Sequence, residues 1–258
     1  MTFAVAAEAY DRFVGRYSYG LCDALSRLAG LGPDSRVLDV GAGSGAGTRR
    51  LVELGGPERV AAVEPSEPFV AALRERFPGV DVRHAAAESL PFEDDAFDAA
   101  LALLVVNFMA DPEAGVAEMR RVTRPGGTVA ACVWDYGGEM TLLGRFWYAA
   151  AELDAGGVRE ADERSRMSFA RRGELAELWR SAGLQGVQDG EVGISADYSS
   201  FEDLWEPFTA GVGPAGAYAA SLDPTRQEAL KARYRDRLAV GEGPFSLTAR
   251  AWYATGRA

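Results

Sequence analysis

Short apolar runs alternate along the chain with longer stretches whose apolar positions recur at three- and four-residue intervals. The apolar runs lie at 37–40, 60–63, 97–106 and 128–134. Alternation of this kind predicts strand–helix units joined into a mainly parallel sheet. The run at 97–106 is almost continuously apolar, as expected of a central strand buried on both faces. The pattern therefore predicts a doubly wound α/β fold.

A glycine-rich segment follows the first of these runs. Gly41, Gly43 and Gly45 alternate with small residues and lead into an amphipathic stretch at 48–54, so the segment predicts strand, tight loop and helix. Glycine lets the backbone approach a ligand closely, and the first N–H groups of a helix attract negative groups. The alternative, left open at this point, is a plain strand–helix turn that binds nothing.

An acidic residue ends the second apolar run. In a doubly wound sheet Glu64 would lie beside the glycine loop, where a carboxylate can accept both hydroxyls of a ribose. NAD-dependent enzymes use the same arrangement, and Gly41, Gly43 and Ala46 fit a relaxed dinucleotide fingerprint. The residues therefore predict a nucleoside-containing cofactor, with NAD still among the candidates.

Charge narrows the range of partners. The chain has 258 residues, a formal net charge of -11 and 48% hydrophobic residues. Nucleic acid and anionic membranes would be repelled, so a small-molecule partner is expected.

The chain has no apolar run of roughly 18 residues and no basic signal-peptide start, which predicts a cytoplasmic protein. Cys22 and Cys132 are predicted to be reduced core residues, and one His with two distant Cys gives no expectation of a metal site.

Three further motifs carry a family resemblance. Asp39 stands two residues before Gly41, the segment 86–92 reads Ala-Ala-Glu-Ser-Leu-Pro-Phe, and Pro-Gly-Gly occupies 125–127. With the three glycines and Glu64, these residues resemble the class I S-adenosylmethionine-dependent methyltransferases of small-molecule type, with a methyltransferase domain of type 11 or 25. The resemblance covers residues 10 to 136. It implies S-adenosyl-L-methionine as cofactor and a Rossmann-like sheet of seven strands, mainly parallel, with the last strand antiparallel.

The resemblance also implies which residues bind the cofactor. They come from a leader helix, the glycine loop, the end of the second strand, the segment before Leu-Pro-Phe and the end of the fourth strand: Tyr10, Arg16, Tyr17, Asp39, Gly41, Ala42, Gly43, Gly45, Glu64, Pro65, Ala86, Ala87, Glu88, Ala102 and Leu103. The chain departs from the family at Ala86, where the family has an Asp that accepts from the adenine amino group. That contact is expected to pass to Glu88 or to water.

Candidate catalytic residues that would contact the acceptor follow the fourth and fifth strands. Asn107 faces the substrate by the resemblance, and Asp135 and Tyr136 follow the fifth strand at the edge where doubly wound folds bind ligands. The alternative for Asp135 and Tyr136 is that they cap the strand. His84 lacks a carboxylate partner in sequence and is not expected to be a general base.

Two insertions interrupt the strand–helix order after residue 136. We predict a single domain over 1–258, with N-terminal helices at 1–29, a core at 30–136, 167–197 and 243–258, and a helical cap at 137–166 and 198–242. The cap aromatics predicted to bind the acceptor, or else to form the cap's own core, are Phe146, Trp147, Trp205 and Tyr218.

The chain is thus predicted to methylate a small apolar or aromatic acceptor. The alternatives are an NAD-dependent oxidoreductase and a non-catalytic or repurposed S-adenosylmethionine-binding protein. No nucleic-acid or membrane partner is expected, and a homodimer is left open.

Overall fold

A computed structural model describes residues 12–138, 140–162, 164 and 167–258. The sheet has seven strands: β1 (Val37–Val40), β2 (Val60–Glu64), β3 (Asp81–His84), β4 (Phe97–Leu103), β5 (Thr123–Trp134), β6 (Gln185–Tyr198) and β7 (Phe245–Arg257). Their order is β3-β2-β1-β4-β5-β7-β6. Neighbouring strands from β3 to β5 are parallel, and β7 is antiparallel to β5. The predicted fold class is confirmed.

Helices connect and flank these strands. They are α1 (Gly15–Leu28), α2 (Ala46–Gly55), α3 (Glu67–Arg76), α4 (Pro112–Val122), α5 (Thr141–Leu153), α6 (Ala155–Ala161), α7 (Glu174–Ser181), α8 (Phe201–Thr209), α9 (Gly213–Ser221) and α10 (Pro224–Leu238). The local sequence explains where α4 begins. Asp111 caps α4 by accepting from the Ala114 N–H, and proline occupies the first helical position, where no N–H is needed.

The strand order reverses at β1. This strand pairs with β2 on one side and β4 on the other, and all residues of β1 and β2 are buried. Fully buried apolar strands are what a parallel sheet covered on both faces requires. Ligands of doubly wound sheets bind outside the carboxyl ends of the strands at such a reversal. The loops after β1, β2 and β4 therefore surround the expected site.

Strand β5 begins earlier than the sequence indicates. Pro-Gly-Gly at 125–127 is predicted to be a turn before a strand starting at Thr128, yet β5 already pairs at Thr123. Phe97 pairs with Thr123 and Ala99 with Thr128, so the residues between them form a bulge within the strand. Gly126, with φ of 76°, makes the reversal that the bulge needs.

The described chain divides into two compact units. The core unit comprises Ser18–Trp134, Phe169–Val192 and Ala251–Ala258, and the helical unit comprises described residues up to Tyr17, Asp135–Ser168 and Gly193–Arg250. The single-domain assignment stays a prediction.

Both cysteines are buried and form no disulfide. Within the described ranges, every helix is too short or too polar to cross a membrane.

Candidate functional site

The three glycines of the loop after β1 meet different surroundings. A Cβ on Gly41 (φ 73°) would lie 2.6 Å from the Val105 side chain, and one on Gly45 (φ 91°) would lie 2.5 Å from the Phe77 ring. A Cβ on Gly43 (φ 54°) would meet no heavy atom of the described residues within 4 Å. Packing inside the core unit therefore requires glycine at 41 and 45. Gly43 instead borders open space, where a ligand can approach the backbone.

The Glu64 carboxylate lies against this open part of the loop. Its side chain is 7% exposed, its Oε2 accepts from the Gly43 N–H at 2.9 Å, and its Oε1 accepts from the Ser66 N–H at 3.0 Å. The loop thus brings together a buried anion and the one loop glycine with free space beside it. A carboxylate in this position fits the two hydroxyls of a ribose.

Asp39 stabilises the start of α2. It is 2% exposed, and its Oδ2 accepts from the Thr48 hydroxyl at 2.7 Å. Burial raises the pKa of Asp39 from 3.8 to about 6; Thr48 opposes the rise, and the charge of Glu64 adds to it. Sequence reasoning missed Thr48, although a threonine one turn into a helix behind an acidic strand end was a signal for this pair.

The segment after β3 approaches the same edge. The Ala85 N–H donates to the Glu64 carbonyl at 3.3 Å, Ala86 is exposed and Ala87 is buried. Glu88 Oε1 accepts from the N–H groups of Ala110 and Asp111 at 2.8 and 3.2 Å. Its carboxylate is therefore held at the start of α4. The adenine contact predicted for Glu88 and the cofactor contacts predicted for Ala86 and Ala87 stay predictions.

His84 and Pro65 pair with each other at the ends of β3 and β2. His84 Nε2 donates to the Pro65 carbonyl at 2.8 Å. Both residues are exposed, and this hydrogen bond joins the neighbouring strand ends next to Glu64. His84 therefore has a structural contact here, and Pro65 lies where the cofactor prediction places it along the chain.

A short turn follows β4. Ala102 is 0% exposed, Leu103 is half-buried, and Leu104 has a φ of 63°, which is costly for a residue with a side chain. The residues Val106–Phe108 then form a 3₁₀ turn that leaves Asn107 half-buried and Phe108 64% exposed. Phe108, which the sequence pattern did not single out, is thus an exposed aromatic residue next to Asn107.

Asp135 and Tyr136 belong to the helical unit. Asp135 is 4% exposed, and its Oδ2 accepts two hydrogen bonds from Arg250, at 3.0 Å from Nε and 2.7 Å from Nη2. Tyr136 is 8% exposed. The ion pair compensates the Asp135 charge, which favours a positioning role for this carboxylate over that of a general base. The catalytic role of both residues stays a prediction.

The leader residues also lie in the helical unit. Arg16 pairs with Asp203, donates to the Asp197 carbonyl at 2.9 Å and lies 4.8 Å from the centre of the Tyr198 ring. The Tyr17 hydroxyl is 3.3 Å from that of Tyr198, and burial raises the pKa of Tyr17. These contacts account for both side chains within this unit. Their cofactor role stays a prediction, and that of Tyr10 lies outside the described residues.

The cap aromatics form a packed cluster. Phe146 and Trp147 are 0% exposed, Trp205 is 4% exposed and Tyr218 is half-buried. Phe146 stacks on Phe208 with ring centres 4.5 Å apart. In the part of the chain that the structure describes, Trp147 Nε1 is a buried donor with no hydrogen-bond partner. The contacts are those of a core, while the unpaired donor is a polar group that a ligand could satisfy.

The predicted site residues thus fall into two groups. The core unit brings together the loop, strand-end and segment residues: Asp39, Gly41, Ala42, Gly43, Gly45, Glu64, Pro65, Ala86, Ala87, Glu88, Ala102, Leu103 and Asn107. The others that the structure describes lie in the helical unit: Arg16, Tyr17, Asp135, Tyr136, Phe146, Trp147, Trp205 and Tyr218.

Comparisons with known proteins agree with this geometry. Residues 38–131 match the family model described as a methyltransferase domain. A demethylmenaquinone methyltransferase of Clavibacter sepedonicus is 35% identical over 138 residues, which cover 50% of this chain and 55% of that protein. The chain spans about half the length of the curated relatives it matches.

Solved structures share the fold over nearly the whole chain. An S-adenosylmethionine-dependent methyltransferase of Thermotoga maritima has a TM-score of 0.55 and 21% identity, covering 96% of this chain and 95% of its own. A geranyl diphosphate methyltransferase in complex with S-adenosylmethionine has a TM-score of 0.52 and 18% identity, covering 93% of this chain and 85% of its own. Residues 38–131 thus match a methyltransferase domain, and the chain shares the fold of S-adenosylmethionine-dependent methyltransferases, one of them solved with S-adenosylmethionine bound.

Proposed function

We propose that this protein transfers the methyl group of S-adenosylmethionine to a small apolar or aromatic molecule. The observation that carries the cofactor half of the proposal is the buried Glu64 carboxylate on the N–H of Gly43, the loop glycine that borders open space. When bound, the cofactor supplies an electrophilic methyl group on a sulfonium. The protein then has mainly to align the acceptor and exclude water, and alignment alone contributes roughly 7–11 kcal/mol.

The residues of the core unit have distinct parts in this proposal. Glu64 would hold the ribose hydroxyls, and the backbone at Gly43 would lie against the ligand. Asp39 keeps Thr48, and with it the start of α2, in place behind the loop. Asn107 is half-buried on the turn after β4, where it can orient an acceptor.

The acceptor class rests on composition and on the helical unit. A formal net charge of -11 opposes a polyanionic acceptor. The aromatic cluster around Phe146 is apolar and closely packed, and the buried Trp147 N–H, without a partner among the described residues, is a donor that an acceptor could satisfy. Small-molecule pockets are mostly apolar with a few directing polar groups. The relative named for demethylmenaquinone supports a small molecule of this kind.

Glu64 provides the direct test of the cofactor half. Glu64→Ala should raise the dissociation constant for S-adenosylhomocysteine roughly ten- to a hundredfold, because charge-assisted hydrogen bonds contribute about 1.5–3 kcal/mol. Glu64→Gln keeps one acceptor and should lie in between. Titration calorimetry would measure all three proteins. Glu67→Ala, which removes an exposed carboxylate nearby, is the matched control and should bind like the wild type.

Turnover tests the transfer itself. The protein would be incubated with methyl-labelled S-adenosylmethionine and a panel of phenols, quinols and aliphatic alcohols or amines. Label in an aromatic product would support the proposal. Tight binding of S-adenosylhomocysteine without transfer to any member would instead favour a binding protein, and binding of NAD in its place would overturn the cofactor assignment.

A further inference from the structure

The segment between β3 and β4 has an attachment that the cofactor assignment does not use. We call residues 85–95 the strap. It has no helix or strand of its own and runs along α4, from the amino end of that helix toward its carboxyl end. Ala85 is bonded to the Glu64 carbonyl at one end, and the Asp95 N–H donates to the Arg121 carbonyl at the other. The strap thus joins the residue proposed to hold the ribose to the far end of α4.

Arg121 binds the middle of the strap through several contacts. Its Nη2 donates to the Leu90 carbonyl at 3.0 Å, and its Nη1 donates to the Phe92 carbonyl and to Asp94 Oδ1, both at 2.8 Å. A planar guanidinium presents its donors in a fixed fork, so one side chain fixes two carbonyl groups of the strap at once. Lysine could not reproduce this geometry, because it carries a single point of charge.

Glu118, one turn earlier on α4, completes the attachment. Its Oε2 accepts from the Leu90 N–H at 2.9 Å, while both of its oxygens accept from Arg121 at 2.6 and 2.8 Å. Both polar backbone groups of Leu90 are therefore bonded to this one ion pair. The guanidinium holds the pKa of Glu118 below its ordinary value, so the carboxylate stays charged in neutral solution.

Other contacts hold the strap on either side of Leu90. The Glu88 carboxylate accepts from the N–H groups of Ala110 and Asp111 at the start of α4. Arg83 of β3 donates to the Pro91 carbonyl and lies 4.1 Å from the centre of the Phe92 ring. Between Ala85 and Glu88, by contrast, Ala86 is exposed at the carboxyl edge of the sheet. This upper part of the strap, residues 85–88, is thus positioned by the Ala85 hydrogen bond and the buried Ala87 on one side and by the attachment at Leu90 on the other.

From this geometry we infer that Glu118 and Arg121 are positioning residues for the cofactor, acting through the strap. The inference rests on the proposed function, because the upper strap lies beside Glu64. A strap released at Leu90 would sample more positions, and the ligand would have to order it on binding, at a cost in affinity. Neither side chain touches the cofactor in this scheme. Both set the position of the backbone at Ala86 and Ala87.

The test compares Arg121→Gln, Glu118→Ala and Glu118→Gln with the wild type. Arg121→Gln and Glu118→Ala should each raise the dissociation constant for S-adenosylhomocysteine about tenfold, equivalent to about 1.4 kcal/mol. Amide hydrogen exchange in residues 85–93 should speed up in the same two proteins. Glu118→Gln keeps an acceptor for the Leu90 N–H and should recover most of the affinity, which a general loss of stability would not explain.

Arg124→Gln is the matched control. It removes an arginine three positions away that pairs with Asp98, and it should leave affinity and strap exchange within about twofold of wild type. Unchanged affinity in Arg121→Gln with faster strap exchange would overturn the inference, and so would unchanged exchange. If Arg121→Gln does not fold, the two Glu118 variants decide the question by the same criteria. If the wild type does not bind S-adenosylhomocysteine, the proposed function is refuted. Amide hydrogen exchange of the strap in the variants still tests, in that case, whether Glu118 and Arg121 hold the strap.

Discussion

Replacing Asp39 by asparagine should stabilise the protein at neutral pH. Asp39 is 2% exposed, and burial raises its pKa from 3.8 to about 6. The folded protein therefore binds this proton more tightly than the unfolded chain does. For such a group, stability is fully present below the unfolded pKa and is lost as the pH rises through the folded pKa. Above pH 6 the wild type carries a buried charge that the Asn variant lacks.

The size of the effect follows from the two pKa values. A difference of about 2 pH units at 1.36 kcal/mol per unit gives a cost of about 3 kcal/mol for ionised Asp39 at pH 8. At pH 4.5 most of this cost is absent, because the folded protein keeps the proton. The stability advantage of Asp39→Asn should therefore grow by about 2 kcal/mol between pH 4.5 and pH 8. The asparagine carbonyl can still accept from the Thr48 hydroxyl, so packing changes little.

Urea denaturation of both proteins at pH 4.5 and pH 8 would measure this advantage. Asp98→Asn is a control whose effect on stability should have the opposite sign, because the Arg36 N–H and Arg124 hold the pKa of Asp98 below its ordinary value. That variant should lose stability at pH 8. If Asp39→Asn proved less stable than wild type at pH 8, burial would not be the dominant influence on this carboxylate. The Thr48 hydrogen bond to a charged acceptor would then outweigh it.

Two further variants test the ligand sites. Gly43→Val should abolish S-adenosylhomocysteine binding without changing the circular dichroism spectrum, because the valine side chain would occupy the space of the ligand. Gly43→Asn controls for backbone strain, because asparagine tolerates a positive φ. Normal binding by the valine variant would place the ligand elsewhere. Trp147→Phe should raise the KM of an identified acceptor about tenfold, because the free energy of about one buried hydrogen bond is lost. The affinity for S-adenosylhomocysteine should stay within about threefold of the wild-type affinity. Phe146→Leu removes similar bulk without a donor, and equal effects of the two variants would exclude the Trp147 N–H from recognition.

Local patterns predicted the central part of the site well. Strand β1, the glycine loop and α2 follow from an apolar run, three glycines and a helical period within a short stretch of chain. Glu64 could be placed beside the loop because the carboxyl ends of parallel strands lie at one edge of a sheet. In the structure its carboxylate accepts a hydrogen bond from the Gly43 N–H. These relationships depend on chain order and periodicity, both of which are visible in sequence.

Partners that lie far apart along the chain could not be predicted in the same way. Asp135 pairs with Arg250, 115 residues later, and nothing local distinguishes this arginine from the others. The contact between Arg121 and Leu90 could not be predicted either, because the strap has no periodic pattern that shows how it lies against α4. The cap aromatics are ambiguous for a different reason. An apolar side chain that lines a pocket and one that fills a core have the same sequence signature.

The loop glycines also bear on how this sequence can change in evolution. Gly41 and Gly45 are fixed by Val105 and Phe77 whether or not a ligand binds, so their loss would disturb folding. Gly43 has no such neighbour among the described residues, so selection on it would come from the ligand and from its positive φ of 54°, which Asn tolerates. A descendant that keeps the scaffold but abandons the cofactor should therefore retain glycine at 41 and 45 while position 43 changes to residues that tolerate a positive φ, such as Asn or Asp. Position 43 would then serve as a sequence marker that separates cofactor-binding members from repurposed ones.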